Sequence, residues 1–258
     1  MKLLLLLLCC KGLFNCCGND KRDGNGIVNI PDANFKAYLV GDSAINTNGD
    51  KEIQVSEASA FSDTIDCANL NISNLKGIEA FTTLTTLDCG DNKLTSLDVS
   101  KNTALTFLKC YNNKLTSLDV SKNTALTKLS CSSNQLTSLD VSKNTALTFL
   151  SCGENKLTSL DLSKNTALTT LMCNDNQLTS LDVSKNTALT YLMCDDNQLT
   201  SLDVSKNTAL TYLFCTENNL TILDGIQNTD LTNLYCEDNK FDCDALISKY
   251  GIENYDME

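Results

Sequence analysis

Cysteine is the residue whose spacing in this chain first suggests chemistry. Fourteen occur in 258 residues, with no histidine and no tryptophan. Cys89, Cys110, Cys131, Cys152, Cys173, Cys194, Cys215 and Cys236 recur at a fixed interval of 21 residues, and Cys67 precedes them. Zinc wants close pairs that converge on one tetrahedron, and this column has none. A catalytic thiol wants an activated, accessible thiolate, and no histidine is present to serve as its base. Neighbouring disulfides are harder to exclude, because strands ~4.8 Å apart fall within the permitted Cα range. Parallel Cβ vectors would strain them. The favoured reading is a buried thiol acting as a small, polarizable apolar side chain.

The same interval organises everything around the cysteines. Leu105–Ala125 reads LTFLKCYNNKLTSLDVSKNTA, and leucine opens a copy at 84, 105, 126, 147, 168, 189, 210 and 231. A period of this length is the signature of a stacked solenoid, in which each unit buries its apolar side against the next. Around Leu87 and Cys89 the apolar spacing is two, which predicts a short strand with one buried face. Thr86, Asp88 and Gly90 are then expected to face solvent. The spacing recurs at Leu97 and Val99, so two extended runs per coil are expected, joined by two bends. Asn92 and Asn102 fall at those bends, and both recur in later copies. A carboxamide offers donors and an acceptor, so stacked asparagines can satisfy bend backbone groups that no strand ladder pairs.

The pattern LxxLxCxxNxL resembles the leucine-rich repeat, with cysteine in place of a strand leucine. It looks like the cysteine-ladder branch of the internalins, bacterial surface proteins whose curved arrays bind proteins or glycans. The resemblance covers residues 30–245. It implies an α/β repeat solenoid: a leucine-rich-repeat right-handed coil with parallel β-strands on the concave face. A helical amino-terminal cap and a short carboxy-terminal cap helix would close it.

Five segments follow. Residues 1–16 read as a lipoprotein signal, with Lys2 before the apolar run Leu3–Leu8, which is too short to span a membrane. The following LFNCC resembles a bacterial lipoprotein signal and makes Cys17 the acylated residue, with Cys16 as runner-up. Residues 17–26 form a polar, glycine-rich tether, residues 27–61 the helical cap, residues 62–239 the repeats and residues 240–258 the final cap. In the first, divergent coil Ile65, Cys67, Leu70, Ile72, Leu75, Ile78 and Phe81 are expected inward. The stretch 241–250 is expected to be an amphipathic helix over the last coil, with Cys243 placed where it could reach Cys236.

The cap contains NTNGDKEIQVSE, residues 46–57, which resembles an EF-hand calcium loop. The resemblance implies ligands at Asn46, Asn48, Asp50, Glu52 (through its carbonyl), Gln54 and Glu57. Two positions depart from it: the first ligand is Asn, and Lys51 replaces the sixth-place glycine. A cap without metal is the favoured reading and bound calcium the alternative.

Comparing copies separates scaffold from surface. LTSLDVSKNTALT is nearly constant, while the outward positions of the strand vary. Phe149, Met172, Tyr191, Met193, Tyr212, Phe214 and Tyr235 should form one aromatic and methionine strip. Asp195, Asp196, Glu217, Glu237 and Asp238 should flank it. Apolar groups at solvent positions, rimmed by charge, mark a recognition surface. Aromatics packing on one another across coils is the competing account. The net charge of −12, without a basic stripe, argues against nucleic acid.

The expectation is a monomeric, non-catalytic surface protein of a Gram-negative outer membrane, held by its lipid alone. It would bind a protein partner with a basic or apolar patch, a glycan as the second choice, or serve as a passive envelope spacer. Enzyme motifs are absent: no histidine, no GxSxG and no P-loop.

Overall fold

The computed structural model describes residues 26–226 and 230–251. The expected signal segment and acyl acceptor Cys17 (or Cys16) lie outside the described residues, as does all of the tether but Gly26.

Two helices, α1 (Ala33–Gly41) and α2 (Val55–Ala60), precede the coils. The strands are β1 (Thr64–Asp66), β2 (Thr86–Asp88), β3 (Phe107–Lys109), β4 (Lys128–Ser130), β5 (Phe149–Ser151), β6 (Thr170–Met172) and β7 (Tyr191–Met193). They continue with β8 (Ser201–Asp203), β9 (Tyr212–Phe214), β10 (Ile222–Asp224) and β11 (Asn233–Tyr235), and α3 (Cys243–Tyr250) follows. Nine strands form one parallel sheet in the order β1-β2-β3-β4-β5-β6-β7-β9-β11. The register never slips: Leu87 pairs Leu108, Leu108 pairs Leu129, and so on to Leu213 and Leu234. A fully buried leucine or isoleucine at the centre of each strand enforces this, because a one-residue shift would turn it to solvent. The solenoid has about 8 turns and little helix; among the described residues helix is confined to the two ends and a single 3-10 turn at Ile78–Ala80.

Among the described residues the second extended run pairs as strands only in β8 and β10. In the other coils it passes without a ladder, each Asp98-type carboxylate accepting from the backbone N–H two residues on, as Asp119 does from Ser121 at 2.8 Å.

The two asparagine columns are buried as expected but do different work. In the first, Asn134 Nδ2 donates to the carbonyls of Cys110 (3.0 Å), Cys131 (3.1 Å) and Ser132 (3.1 Å), and its Oδ1 accepts from Leu115 N–H at 2.9 Å. In the second, Asn144 Nδ2 donates to the carbonyls of Val120 (3.0 Å) and Asn123 (2.9 Å). Its Oδ1 is buried and accepts nothing, and the same holds for Asn102, Asn123, Asn165 and Asn186. From Asn102 to Asn186 the second column therefore satisfies carbonyls only.

The cysteines from Cys67 to Cys215 are free and buried. Burial pushes the Cys110 and Cys152 thiols up to about 12. They remain protonated and act as core side chains. Cys236 is bonded to Cys243, with Cα atoms 5.6 Å apart, which pins α3 over the last coil.

The amino-terminal cover is stitched to the first coil. Asp32 Oδ1 accepts from Asn34 and Phe35 N–H at the start of α1, and its Oδ2 accepts from Ser73 N–H and Oγ at 2.8 Å. Phe35 and Leu39 are fully buried beneath. Tyr38 Oη accepts from Asp66 N–H at 3.0 Å, blunting the exposed edge of β1. Leu70 departs from expectation and points outward, 36% exposed. Asn69 and Asn71 flank it with φ of 57° each, and two left-handed residues in three turn its side chain away from the core.

Candidate recognition face

The outward face of the long sheet is built from three columns per strand, so its chemistry is set by which residue each coil places there. Not all of these positions are open. Asp88 is only 6% exposed, because Lys109 from the next coil folds over it with Nζ 2.9 Å from Oδ2. Gly90 is likewise covered: a Cβ there would come within 2.5 Å of the Tyr111 ring. The expectation that Asp88 and Gly90 face solvent fails for one reason: coils ~4.8 Å apart let a long side chain lie over its shorter neighbour.

In the carboxy-terminal half the expected strip is present. Phe149, Met172, Tyr191, Met193, Phe214 and Tyr235 are half-buried, and Tyr212 is 42% exposed. Tyr191 lies 6.0 Å from Tyr212 and 5.5 Å from Phe214, and Phe214 stacks on Tyr235 at 4.4 Å with the planes 5° apart. The rings thus pack on each other across coils and still present one side to solvent. The packing account of the strip therefore holds for one side of the rings, and the other side stays accessible.

Carboxylates line one margin of this block. Asp175, Asp195 and Asp196 bring oxygens within 4.8 Å of one another. Burial, with Asp175 and Asp196 adding repulsion, raises Asp195 to about 6. Its Oδ1 is shielded from solvent and accepts no hydrogen bond. Glu217 is also raised, by its hydrogen bond to Asp196 and then by that group's charge. Of the expected acidic residues, Asp195 and Asp196 therefore come together, with Glu217 bonded to Asp196. Asp175, which sequence reasoning passed over, joins them.

The missed signal is a backbone one. Asp91, Asn112, Ser133, Glu154, Asp175, Asp196, Glu217 and Asp238 occupy one column, and all have φ between 48° and 52°. Such a turn favours Gly, Asn or Asp, so Glu154 and Glu217 are there against local preference.

The amino-terminal half carries different chemistry. Lys109 Nζ sits 5.0 Å from the Phe107 ring centroid as well as on Asp88, and Lys128 Nζ sits 5.6 Å from the same ring.

The loop 46–57 is knit by hydrogen bonds among the residues expected to hold calcium. Asp50 Oδ2 accepts from Asn48 Nδ2 (3.1 Å) and Gln54 Nε2 (2.9 Å). Glu57 Oε1 accepts from Thr47 Oγ1 and Asn48 N–H, and its Oε2 from Gln54 N–H at the start of α2. Glu52 turns its carboxylate to Lys36 at 2.7 Å. Asn46 donates to the carbonyls of Val40 and Asp50, while its Oδ1 is buried without a partner. The left-handed residue is Gly49 (φ 71°), not Lys51, so the sharp turn falls at the fourth place instead of the sixth.

Comparison with solved structures agrees with this geometry. The functional domain of InlJ from Listeria monocytogenes, which includes a cysteine ladder, is 46% identical with a TM-score of 0.76. The match covers 81% of this chain and 46% of that one, so this chain spans about half the length of that relative. Internalin C2 from the same organism is 18% identical with a TM-score of 0.68, over 87% of this chain and 94% of that one, a likeness of fold alone. The ectodomain of the plant membrane receptor kinase GASSHO1/SCHENGEN3 from Arabidopsis thaliana, solved with Casparian strip integrity factor 2, is 27% identical with a TM-score of 0.58. That match covers 63% of this chain and 22% of that one. No family profile and no curated protein matches the sequence. The chain is an internalin-like leucine-rich-repeat solenoid with a cysteine ladder, a fold that commonly mediates protein binding.

Proposed function

We propose that this chain is a non-catalytic recognition protein that acts as a monomer and binds a protein partner through the concave sheet face. One observation carries the reading: the variable outward positions of β6, β7, β9 and β11 assemble a continuous block of rings and methionines with Tyr212 42% exposed. The constant segment LTSLDVSKNTALT of each coil is by contrast monotonous and mostly polar at its exposed positions. Large aromatic surface that remains accessible beside charge is the composition of binding hot spots. The neighbour solved in complex with Casparian strip integrity factor 2 supports the class of function and leaves the partner open.

The reading places the chain at a cell surface, acylated at Cys17 behind the Lys2 to Leu8 signal. Among the described residues no helix is long and apolar enough to cross a membrane. Mass spectrometry of protein recovered from membranes, with Cys17→Ser as control, tests the anchor. For the loop 46–57 we favour a metal-free cover over calcium.

The test of function is cross-linking capture from the native envelope with the wild type and a Tyr191→Ser/Tyr212→Ser/Phe214→Ser triple. The triple should melt cooperatively and lose the captured protein. Capture that survives the triple removes the face from consideration. A glycan array run beside it assigns the face to sugar if binding appears there and no protein is captured.

A further inference from the structure

We infer that the carboxy-terminal half of the sheet face takes an extended peptide segment of the partner through its arginine or lysine side chains. This rests on the recognition reading above and names the chemistry that the face accepts.

The molecule supplies its own template. In the amino-terminal half Lys109 places its ammonium against one carboxylate, Asp88, and one ring, Phe107, at 2.9 and 5.0 Å. Lys128 adds a second cation at that ring, 5.6 Å away. A cation held between a carboxylate and an aromatic face is favoured by both, more so when partly desolvated. The carboxy-terminal half repeats the carboxylates and the rings but omits the cation. Rings stand at Tyr191, Tyr212, Phe214 and Tyr235 and carboxylates at Asp175, Asp195, Asp196 and Glu217. From β5 onward the outward strand columns contain no lysine or arginine. Among the described residues no basic group forms a salt bridge with any of those four carboxylates.

A second comparison between coils points the same way. The left-handed column carries an acid in six coils, and in three of them a lysine follows two residues on: Asp91 with Lys93, Glu154 with Lys156, Asp238 with Lys240. In three consecutive coils it does not. Asp175 is followed by Gln177, Asp196 by Gln198 and Glu217 by Asn219. The compensating charge is withdrawn beside the exposed rings. There three like charges one coil apart destabilise the free protein, which a cationic ligand would relieve. The shielded, unpartnered Oδ1 of Asp195 lies within this margin. Coils ~4.8 Å apart present acceptors in a row, and an extended partner, whose same-face side chains repeat every ~6.6 Å, reaches them through the long flexible stems of arginine or lysine.

The experiment uses the purified chain and three labelled nonapeptides of alternating serine with arginine, glutamine or glutamate, read by fluorescence polarisation. The arginine peptide should bind at least tenfold more tightly than the glutamine peptide at 50 mM salt, with the margin shrinking at 300 mM. Two triples test the site from opposite directions. Asp175→Asn/Asp196→Asn/Glu217→Gln removes charge, and Gln177→Lys/Gln198→Lys/Asn219→Lys restores the lysines that other coils carry. Each should erase the margin without lowering the melting temperature. Equal binding of all three peptides, or a margin that survives either triple, overturns the inference. If envelope capture still depends on Tyr191, Tyr212 and Phe214 in that case, the recognition face stands and only its cationic partner falls. If capture ignores those rings, both fall.

Discussion

Asn134 Oδ1 receives the N–H of Leu115 at 2.9 Å, so an asparagine of one coil completes the backbone of the coil before it. Its Nδ2 also serves three carbonyls, whereas Asn144 at the opposite bend serves two and leaves its own oxygen unused. Removing Asn134 therefore strands both donors and acceptors, and removing Asn144 strands acceptors alone. With each buried orphan costing about 1–3 kcal/mol, Asn134→Ala should lose more stability than Asn144→Ala, by about 1–2 kcal/mol. Urea unfolding of the two variants checks the order, and equal losses would show that the extra Leu115 bond contributes nothing.

The thiol column predicts an alkaline sensitivity. In the unfolded chain these cysteines ionise near their ordinary value of 9.0, whereas burial holds Cys152 up to about 12 in the fold. The folded state then keeps protons that the unfolded state releases, so stability is complete below pH 9 and falls as pH rises through 9 towards 12. Changing Cys110, Cys131, Cys152 and Cys173 together to Ala should flatten that fall between pH 8 and 10.5, at some cost in packing. Thiol-reactive reagents at pH 8 should label Cys67 to Cys215 only after denaturant is added.

Much of this was readable in advance, because a 21-residue repetition makes each position its own alignment. Leu87, Cys89, Asn92 and Asn102 declare their burial by recurring unchanged, and the strip from Phe149 to Tyr235 declares its exposure by varying. What stayed hidden depends on contacts between unlike copies. Asp88 looks like a surface residue until Lys109 lies over it. Asp175 gains meaning only when the coil spacing sets it beside Asp195 and Asp196. The pairing of the second extended run was not legible, since its apolar alternation is the same whether or not a ladder forms, and among the described residues only β8 and β10 pair. In loop 46–57 the residue types matched a calcium site, but the left-handed turn fell at Gly49 rather than at Lys51.

That misplaced turn gives a direct expectation for calcium. Both Glu57 oxygens already accept from backbone N–H groups, and Asp50 is held by two carboxamides. A cation would have to displace these contacts and also tolerate Lys51. The thermal midpoint should be the same in 5 mM calcium and in chelator. A rise of several degrees in calcium would show that the loop rearranges to bind it.

The disulfide from Cys236 to Cys243 predicts a local effect. It ties α3 to the last coil only, and in a solenoid each coil contacts its neighbours alone. Cys243→Ser should speed amide exchange around β11 and leave β2 to β5 unchanged. Faster exchange throughout would mean that the array melts as one unit from its carboxy-terminal end.

Asp195 offers the sharpest separation of stability from recognition. Its folded value of about 6 lies above the ordinary 3.8, because burial and the charges of Asp175 and Asp196 oppose ionisation. Between those values the folded chain binds the proton more tightly than the unfolded chain does. This carboxyl therefore lowers stability progressively as pH rises from 3.8 to 6, and the loss is complete above 6. Asp195→Asn should raise the melting temperature at pH 7 and leave it unchanged near pH 3.5. The same variant should weaken the arginine peptide at pH 7, and the wild type should lose affinity as pH drops through 6. If the variant gains no stability at neutral pH, the carboxyl is relieved by solvent and has no reserve of repulsion for a cationic partner to discharge.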